Sequence, residues 1–191
     1  MFLKLDEIAR KLDQIFLPLE QDGMNGMRLL PQKDASALMQ AQKSLGVNFP
    51  AKFTKLLSKF DLGNFEICNV KFGSRGDYAS ELVRLNSVDE FGGKWWQGEA
   101  RPLNLIVFAV GDPWIFLLDC TSGAVYAWLF GDEELCGRCI ASDFEKFFIA
   151  LASIDIARLS DEAMPSTEQI LKFVQADGRA LLFWQEMAYE I

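Results

Sequence analysis

The sequence has 191 residues, half of them apolar and 13% aromatic, which suits one domain with extensions or two small domains. Its formal net charge is −8 and its sequence pI is near 4.6. This balance argues against a nucleic-acid-binding protein, which needs Lys and Arg to neutralise phosphates, and against docking on an anionic membrane. A partner protein with a basic surface is compatible with it, although many proteins are acidic only for solubility.

The first part of the chain is predicted to be helical. Residues 3–20 carry apolar side chains at helical spacing. A second helix fits residues 34–45, and Gly46 stands where a helix C-cap glycine belongs. Pro50 begins a third helix, because the missing N–H of a proline costs nothing in the first turn.

The apolar pattern changes to a period of two after residue 64, which is typical of strands. Short strands are predicted between Phe65 and Phe72, and residues 82–85 are predicted to form another. Residues 73–77 are glycine-rich and predict a loop. Ser87 and Glu90 have the spacing of a capping box, which predicts that a short helix begins there.

The strongest predicted strands are residues 103–110 and 114–120, which are apolar on both faces. Such strands are central in a sheet that is covered on at least part of each face. Residues 124–130 form the next strand after a short turn. Because these connections are so short, the three strands must form an antiparallel meander.

Helices are predicted again after the sheet. Residues 142–145 have the form of a capping box and open a helix, and a last helix runs from about Ser166 to the terminus, with Gln169 completing its cap. The order of helices, meander and helices predicts an α+β fold. We expect an antiparallel meander sheet of about 4–6 strands packed with N-terminal and C-terminal helices.

The residues that most catalytic sites depend on are missing. The sequence contains no histidine, which removes the commonest general base and metal ligand. Cys136 and Cys139 form a single C-x-x-C, whereas Cys68 and Cys120 stand alone and are predicted to be small buried residues. We therefore expect no catalytic residues, no metal and no cofactor. An enzyme that uses carboxylates or the C-x-x-C thiols stays open as an alternative.

No targeting segment is predicted. Charged residues interrupt the first apolar positions, unlike a signal peptide, and the longest apolar stretch is too short and too punctuated to span a bilayer. We therefore expect a cytoplasmic protein with reduced cysteines.

Two features of the sequence favour protein binding. Trp95 and Trp96 are adjacent in a polar, glycine-flanked segment, so they cannot both point into one core, and exposed tryptophan is a typical interface anchor. An acidic run follows the last predicted strand and can attract a basic partner, although such runs are usually only solvated loops. The candidate partner-binding residues are Trp95, Trp96, Asp112, Asp132, Glu133 and Glu134.

The order of several motifs resembles the SUKH superfamily. Residues 37–63 are similar to its opening signature of a helix, a Leu-Gly turn, an aromatic-proline pair and a second helix. The matching residues there are Leu45, Gly46, Phe49, Pro50, Phe53, Leu56, Leu57 and Gly63. Phe49 replaces the commoner leucine, and Asp61-Leu62-Gly63 replaces the usual Asn-Gly. Later matches are Ile106–Phe108, Asp112–Asp119, Gly123–Tyr126 and Ala141–Phe147.

This resemblance implies a binding fold without shared catalytic residues. The family includes bacterial immunity proteins that neutralise toxins and a fungal regulator of cell-wall glucan synthesis, whose long disordered tails this sequence lacks. The expected function is therefore toxin neutralisation, with a cell-wall regulator or scaffold of the Smi/Knr type as the alternative. The expected organisation is an N-terminal helical extension (1–33), a SUKH-like domain (34–152) and a C-terminal helical extension (153–191) packed on that domain.

Overall fold

A computed structural model describes residues 2–34, 36–74, 76–87, 101–129 and 138–189 of the chain. Within these ranges, seven α-helices accompany a six-stranded antiparallel sheet and a separate pair of short strands. The predicted α+β fold with an antiparallel meander is confirmed, and the six strands agree with the expected number.

Three helices and four short strands precede the main part of the sheet. They are α1 (Leu5–Phe16), followed by a 3-10 helix (Leu17–Asp22), β1 (Leu30–Pro31), α2 (Ser36–Leu45), α3 (Ala51–Leu57), β2 (Phe60–Asp61), β3 (Glu66–Ile67) and β4 (Val70–Lys71). The predicted helices and the β3–β4 hairpin are confirmed. Gly46 follows α2 with a φ of 66°, the left-handed conformation that favours glycine after a helix.

The remaining elements are one further helix, the long strands and three C-terminal helices. They are α4 (Tyr78–Leu85), β5 (Leu105–Val110), β6 (Trp114–Asp119), β7 (Val125–Leu129), β8 (Arg138–Ala141), α5 (Phe144–Leu159), α6 (Thr167–Val174), a 3-10 helix (Gly178–Ala180) and α7 (Leu181–Tyr189).

The predicted strand at residues 82–85 is wrong, because these residues form the second half of α4. The Asp77 side chain accepts a hydrogen bond from the Ser80 backbone N–H and caps this helix. Tyr78, Leu82 and Leu85 are buried on one side at helical spacing. The helix predicted to begin at Ser87 lies almost wholly outside the described residues.

The prediction of one continuous C-terminal helix is also wrong. The capping box of Ser166 and Gln169 is confirmed, but α6 ends at Val174. Gln175 follows in the left-handed conformation, with a φ of 57°, and the chain restarts as α7. Helix α5, predicted from the capping box at residues 142–145, begins one residue later than that box indicates, since Asp143 rather than Ser142 accepts the capping hydrogen bond from Lys146 N–H.

The six-stranded sheet has the order β3-β4-β5-β6-β7-β8, with every neighbour antiparallel. Strands β5 and β6 are buried on both faces, as predicted, and β7 is mostly buried. One face joins a large core with the helices, in which the rings of Phe53, Phe108 and Phe144 lie within 6.3 Å of one another. The other face forms a smaller cluster of Leu85, Leu105, Val107, Ile115, Leu117 and Trp128.

Segments outside the predicted central domain cover both edges of this sheet. The Glu66 N–H of edge strand β3 donates to Gly26 O at 2.9 Å. At the other edge, the register of the β7–β8 pairing shifts at Ile140, and the buried Trp184 indole N–H donates to Ile140 O at 2.9 Å. The boundary predicted at residues 152 and 153 falls inside α5, so the central domain and the C-terminal extension share one helix.

Candidate functional site

Three connections of the sheet meet at one end of it. The β3–β4 turn and the β5–β6 turn are neighbours because Lys71 pairs with Val110. The β7–β8 connection begins beside them, since Leu129 pairs with Trp114. We call this region, defined by residues 68–69, 111–113 and 138, the Asp112 end of the sheet.

Tight backbone packing fixes the two turns of the Asp112 end. Cys68 and Asn69 both have left-handed backbones, with φ values of 47° and 58°. A Cβ atom on Gly111 would lie 2.9 Å from Asn69 O, so this position requires glycine. Gly111 N–H donates to Trp114 O at 2.7 Å. The exposed Asp112 that follows is therefore presented from a closely packed turn.

Asp112 is the one candidate partner-binding residue that the structure describes. It is exposed, and its peptide bond to Pro113 is cis. The other candidates, Trp95, Trp96, Asp132, Glu133 and Glu134, lie outside the described residues. The chain that carries the acidic run nevertheless leaves the sheet at Leu129 and returns at Arg138, which places both of its anchor points at the Asp112 end.

An aromatic and charged cluster that no sequence motif marks lies beside Asp112. Trp114 is 2% exposed, and its indole N–H donates to Glu186 Oε2 at 3.2 Å. The guanidinium carbon of Arg138 lies 5.7 Å from the centre of the Trp114 ring, within cation–π range. These side chains come from β6, β8 and α7, so only the folded chain brings them together.

A buried acidic group lies behind the β3–β4 turn. Burial raises the pKa of Asp155 above its ordinary value, although Cys68 and Arg158 oppose this. Arg158 lies 3.6 Å from the Asp155 carboxylate and also donates to Met187 O at 2.7 Å. This network ties α5 to α7.

A second cleft lies at the opposite end of the sheet, where α3, the β6–β7 turn and α5 meet. The Asp143 carboxylate accepts a hydrogen bond from Lys52 Nζ at 2.8 Å and lies 3.4 Å from Lys146 Nζ. Burial opposes its ionisation, but the hydrogen bonds from Lys52 and from the Lys146 backbone lower the pKa of Asp143. Lys146 Nζ also donates to Gln175 Oε1, so the polar groups of this cleft satisfy one another.

The described thiols are poorly suited to nucleophilic or metal chemistry. Burial raises the pKa of Cys120 to about 12, and it raises the pKa values of Cys68 and Cys139 as well. A thiol held protonated at neutral pH is a weak nucleophile and a weak ligand. Cys136, the other half of the C-x-x-C, lies outside the described residues. Within those residues, no group of three or more Cys, Asp or Glu side chains is placed to hold a metal ion.

The fold and this geometry define a class: an α+β domain whose antiparallel meander is packed against helices. The family model that matches the chain is that of the SMI1 / KNR4 family (SUKH-1), over residues 34–150. Because this match spans more than half of the sequence, the chain belongs to the SMI1 / KNR4 family, as the motif resemblance predicted.

The assignment of the chain to this family rests on the family model. No curated protein and no solved structure matches the chain. In the part of the chain that the structure describes, the helices are too short or too polar to cross a membrane.

Proposed function

We propose that this protein is a non-enzymatic binding module that acts as a bacterial immunity protein, binding and neutralising a cognate toxin. Membership of the SMI1 / KNR4 family is the observation that carries the proposal. The histidine-free sequence and the raised thiol pKa values agree with a protein that acts by contact rather than by catalysis. The net charge of −8 suits a toxin whose active-site surface is basic.

The Asp112 end of the sheet is the surface that we propose for this contact. Each edge of the sheet has one backbone group already paired, Glu66 N–H with Gly26 O and Ile140 O with the Trp184 indole, which disfavours the addition of a partner strand there. The Asp112 end instead offers an exposed carboxylate on a closely packed turn. It is also where the chain bearing Asp132, Glu133 and Glu134 leaves and rejoins the sheet.

Affinity capture of the tagged, full-length protein from native cells at low salt tests the proposal. We expect a single basic protein to be recovered in stoichiometric amount, to be released by raised salt and to be toxic when expressed alone. Co-expression of this chain should remove the toxicity. Recovery of the chain alone at low salt, with no toxin gene beside its own gene, would contradict the proposal.

The name of the matching family suggests an alternative function, that of a Smi/Knr-type regulator or scaffold in cell-wall physiology. This alternative predicts that the captured proteins are cell-wall biosynthetic enzymes and that deleting the gene alters wall composition. A deletion strain with an unchanged wall that becomes sensitive to one toxin supports immunity instead.

A further inference from the structure

An Asn-Gly pair, Asn25 and Gly26, lies in the connection between the first 3-10 helix and β1. The Asn25 side chain is exposed, and its amide nitrogen donates a long hydrogen bond of 3.4 Å to Gly23 O. In the described part of the chain, the backbone N–H of Gly26 donates to no acceptor. Because glycine has no side chain, nothing attached to its Cα shields this nitrogen from the neighbouring Asn25 amide carbon.

Gly26 is held in the fold through its other backbone atoms. Gly26 O accepts the hydrogen bond from Glu66 N–H at the edge of the sheet, and a Cβ atom at Gly26 would lie 2.8 Å from Asn64 O. Its φ of 90° lies in the left-handed region, so both the conformation and the close approach require glycine. The contacts that place Gly26 thus use its oxygen and its Cα, and they leave its nitrogen to react.

We infer that Asn25 deamidates spontaneously in the folded chain and that the products include isoaspartate. The Gly26 nitrogen, once it has lost its proton to hydroxide, attacks Asn25 Cγ. The new C–N bond forms as the bond from Cγ to Nδ2 breaks, and Nδ2 takes up a proton and leaves as ammonia. Water then opens the succinimide ring that results. Addition of water at Cγ gives aspartate, whereas addition at the main-chain carbonyl gives isoaspartate, in which the main chain runs through Cβ and Cγ.

The isoaspartyl product changes the edge of the sheet because it inserts one methylene group into the main chain before Gly26. The chain is fixed before this point, where Gly23 N–H donates to Glu20 O at 3.1 Å, and after it, where Arg28 forms two ion pairs. The extra length is therefore taken up at Gly26, and the hydrogen bond from Glu66 N–H is the contact that it displaces. An unpaired N–H then appears on edge strand β3, whatever the protein binds.

Peptide mapping by mass spectrometry of the full-length protein, incubated at neutral and at mildly alkaline pH, tests the reaction. Asn25 should gain the mass that replaces an amide by a carboxylate several-fold faster than Asn104, and faster at the higher pH because the attacking nitrogen must lose its proton. Asn104 is the control within the chain, since its amide donates to Asp119 at 2.9 Å and the following Leu105 N–H donates to Pro102 O. N25Q should stay unchanged, because its longer side chain closes a less favourable ring.

The folded chain and the identity of the product decide the outcome. Fragmentation of the converted peptide should show isoaspartate at position 25. Conversion of Asn25 at the same rate as Asn104, conversion only after the chain has been unfolded in urea, or a product that contains aspartate alone overturns the inference.

Amide hydrogen exchange tests the effect on the sheet edge. The isoaspartyl form, separated chromatographically, is compared with freshly prepared N25D, which has the same charge and an ordinary main chain. Exchange at Glu66 N–H should be about 2- to 10-fold faster in the isoaspartyl form, as expected for the loss of one hydrogen bond. Gln32 N–H, which donates to Lys59 O, should exchange equally in both. Equal exchange at Glu66 in the two forms contradicts the displacement of Gly26.

Discussion

Substitution of Trp184 tests whether the C-terminal helices and the sheet unfold as one unit. The side chain is fully buried, its ring lies 5.0 Å from Phe183 and 6.3 Å from Phe147, and its N–H supplies the hydrogen bond to Ile140 O. W184A should therefore cost about 3–5 kcal/mol, the usual range for deleting a large buried aromatic side chain. A small domain has only about 5–15 kcal/mol in total, so this variant should be close to unfolding.

The hydrogen bond can be separated from the packing with W184F. This variant keeps most of the buried ring but orphans the Ile140 carbonyl, so it should lose about 1–3 kcal/mol. Urea denaturation followed by circular dichroism measures both changes, and L182A, at a half-exposed position on the same helix, serves as the control within about 0.5 kcal/mol of the unmodified chain. If W184A unfolds with the stability of the control, the C-terminal extension is not part of the cooperative core.

Three further predictions concern single side chains. Y78F removes the buried hydroxyl that donates to Phe108 O at 2.6 Å. Urea denaturation should show that the free energy of unfolding falls by about 1–3 kcal/mol. An unchanged denaturation midpoint would contradict a stabilising role of this hydrogen bond. D143A removes the cap of α5 and should cost about 1 kcal/mol at pH 7. The folded chain lowers the pKa of Asp143, so this stabilisation is fully present above the ordinary aspartate pKa and is lost as the pH falls through the folded pKa. The stabilities of D143A and the unmodified chain, measured by denaturation, should therefore converge in acid and stay different in base. Iodoacetamide at pH 7, with peptides mapped by mass spectrometry, should leave Cys120 unlabelled until the chain is denatured, and fast labelling of the native protein would refute the raised pKa.

The sequence was sufficient for most of the architecture because the apolar period is unambiguous in the long elements. The meander of β5, β6 and β7 follows from apolar runs separated by turns too short for a crossover. The prediction failed at residues 82–85, where a short apolar run fits either a strand or a buried helix turn. The residue that shows these positions to be helical is the N-cap Asp77, five residues before Leu82.

The break between α6 and α7 was missed for a different reason. Gln175 takes the left-handed conformation that glycine or asparagine usually provides, so the last helical residue is not marked by its type. The signal that the chain turns is Asp177-Gly178, which follows two residues later. Strand β8 was not predicted because its four residues, Arg138–Ala141, are too few to show a strand period in the sequence.

The candidate site was predictable only in part. Asp112 could be found because it follows an apolar strand and precedes a proline, which predicts an exposed turn. Arg138 could not, because its significance depends on Trp114 and Glu186, which are distant in sequence and meet only through the sheet register and the packing of α7. Unlike a spacing motif, a cluster assembled from three distant elements has no signature in a single sequence.

The closure of the sheet edges has a consequence for handling the protein. The segment that matches the family model ends at residue 150, so a fragment cut to those limits would lose both Gly26 and Trp184. Its edge strands would then present free N–H and C=O groups beside newly uncovered apolar surface, a combination that templates intermolecular strand pairing. We therefore expect fragments trimmed to the family core to aggregate more readily than the full chain, which light scattering at matched concentrations would measure.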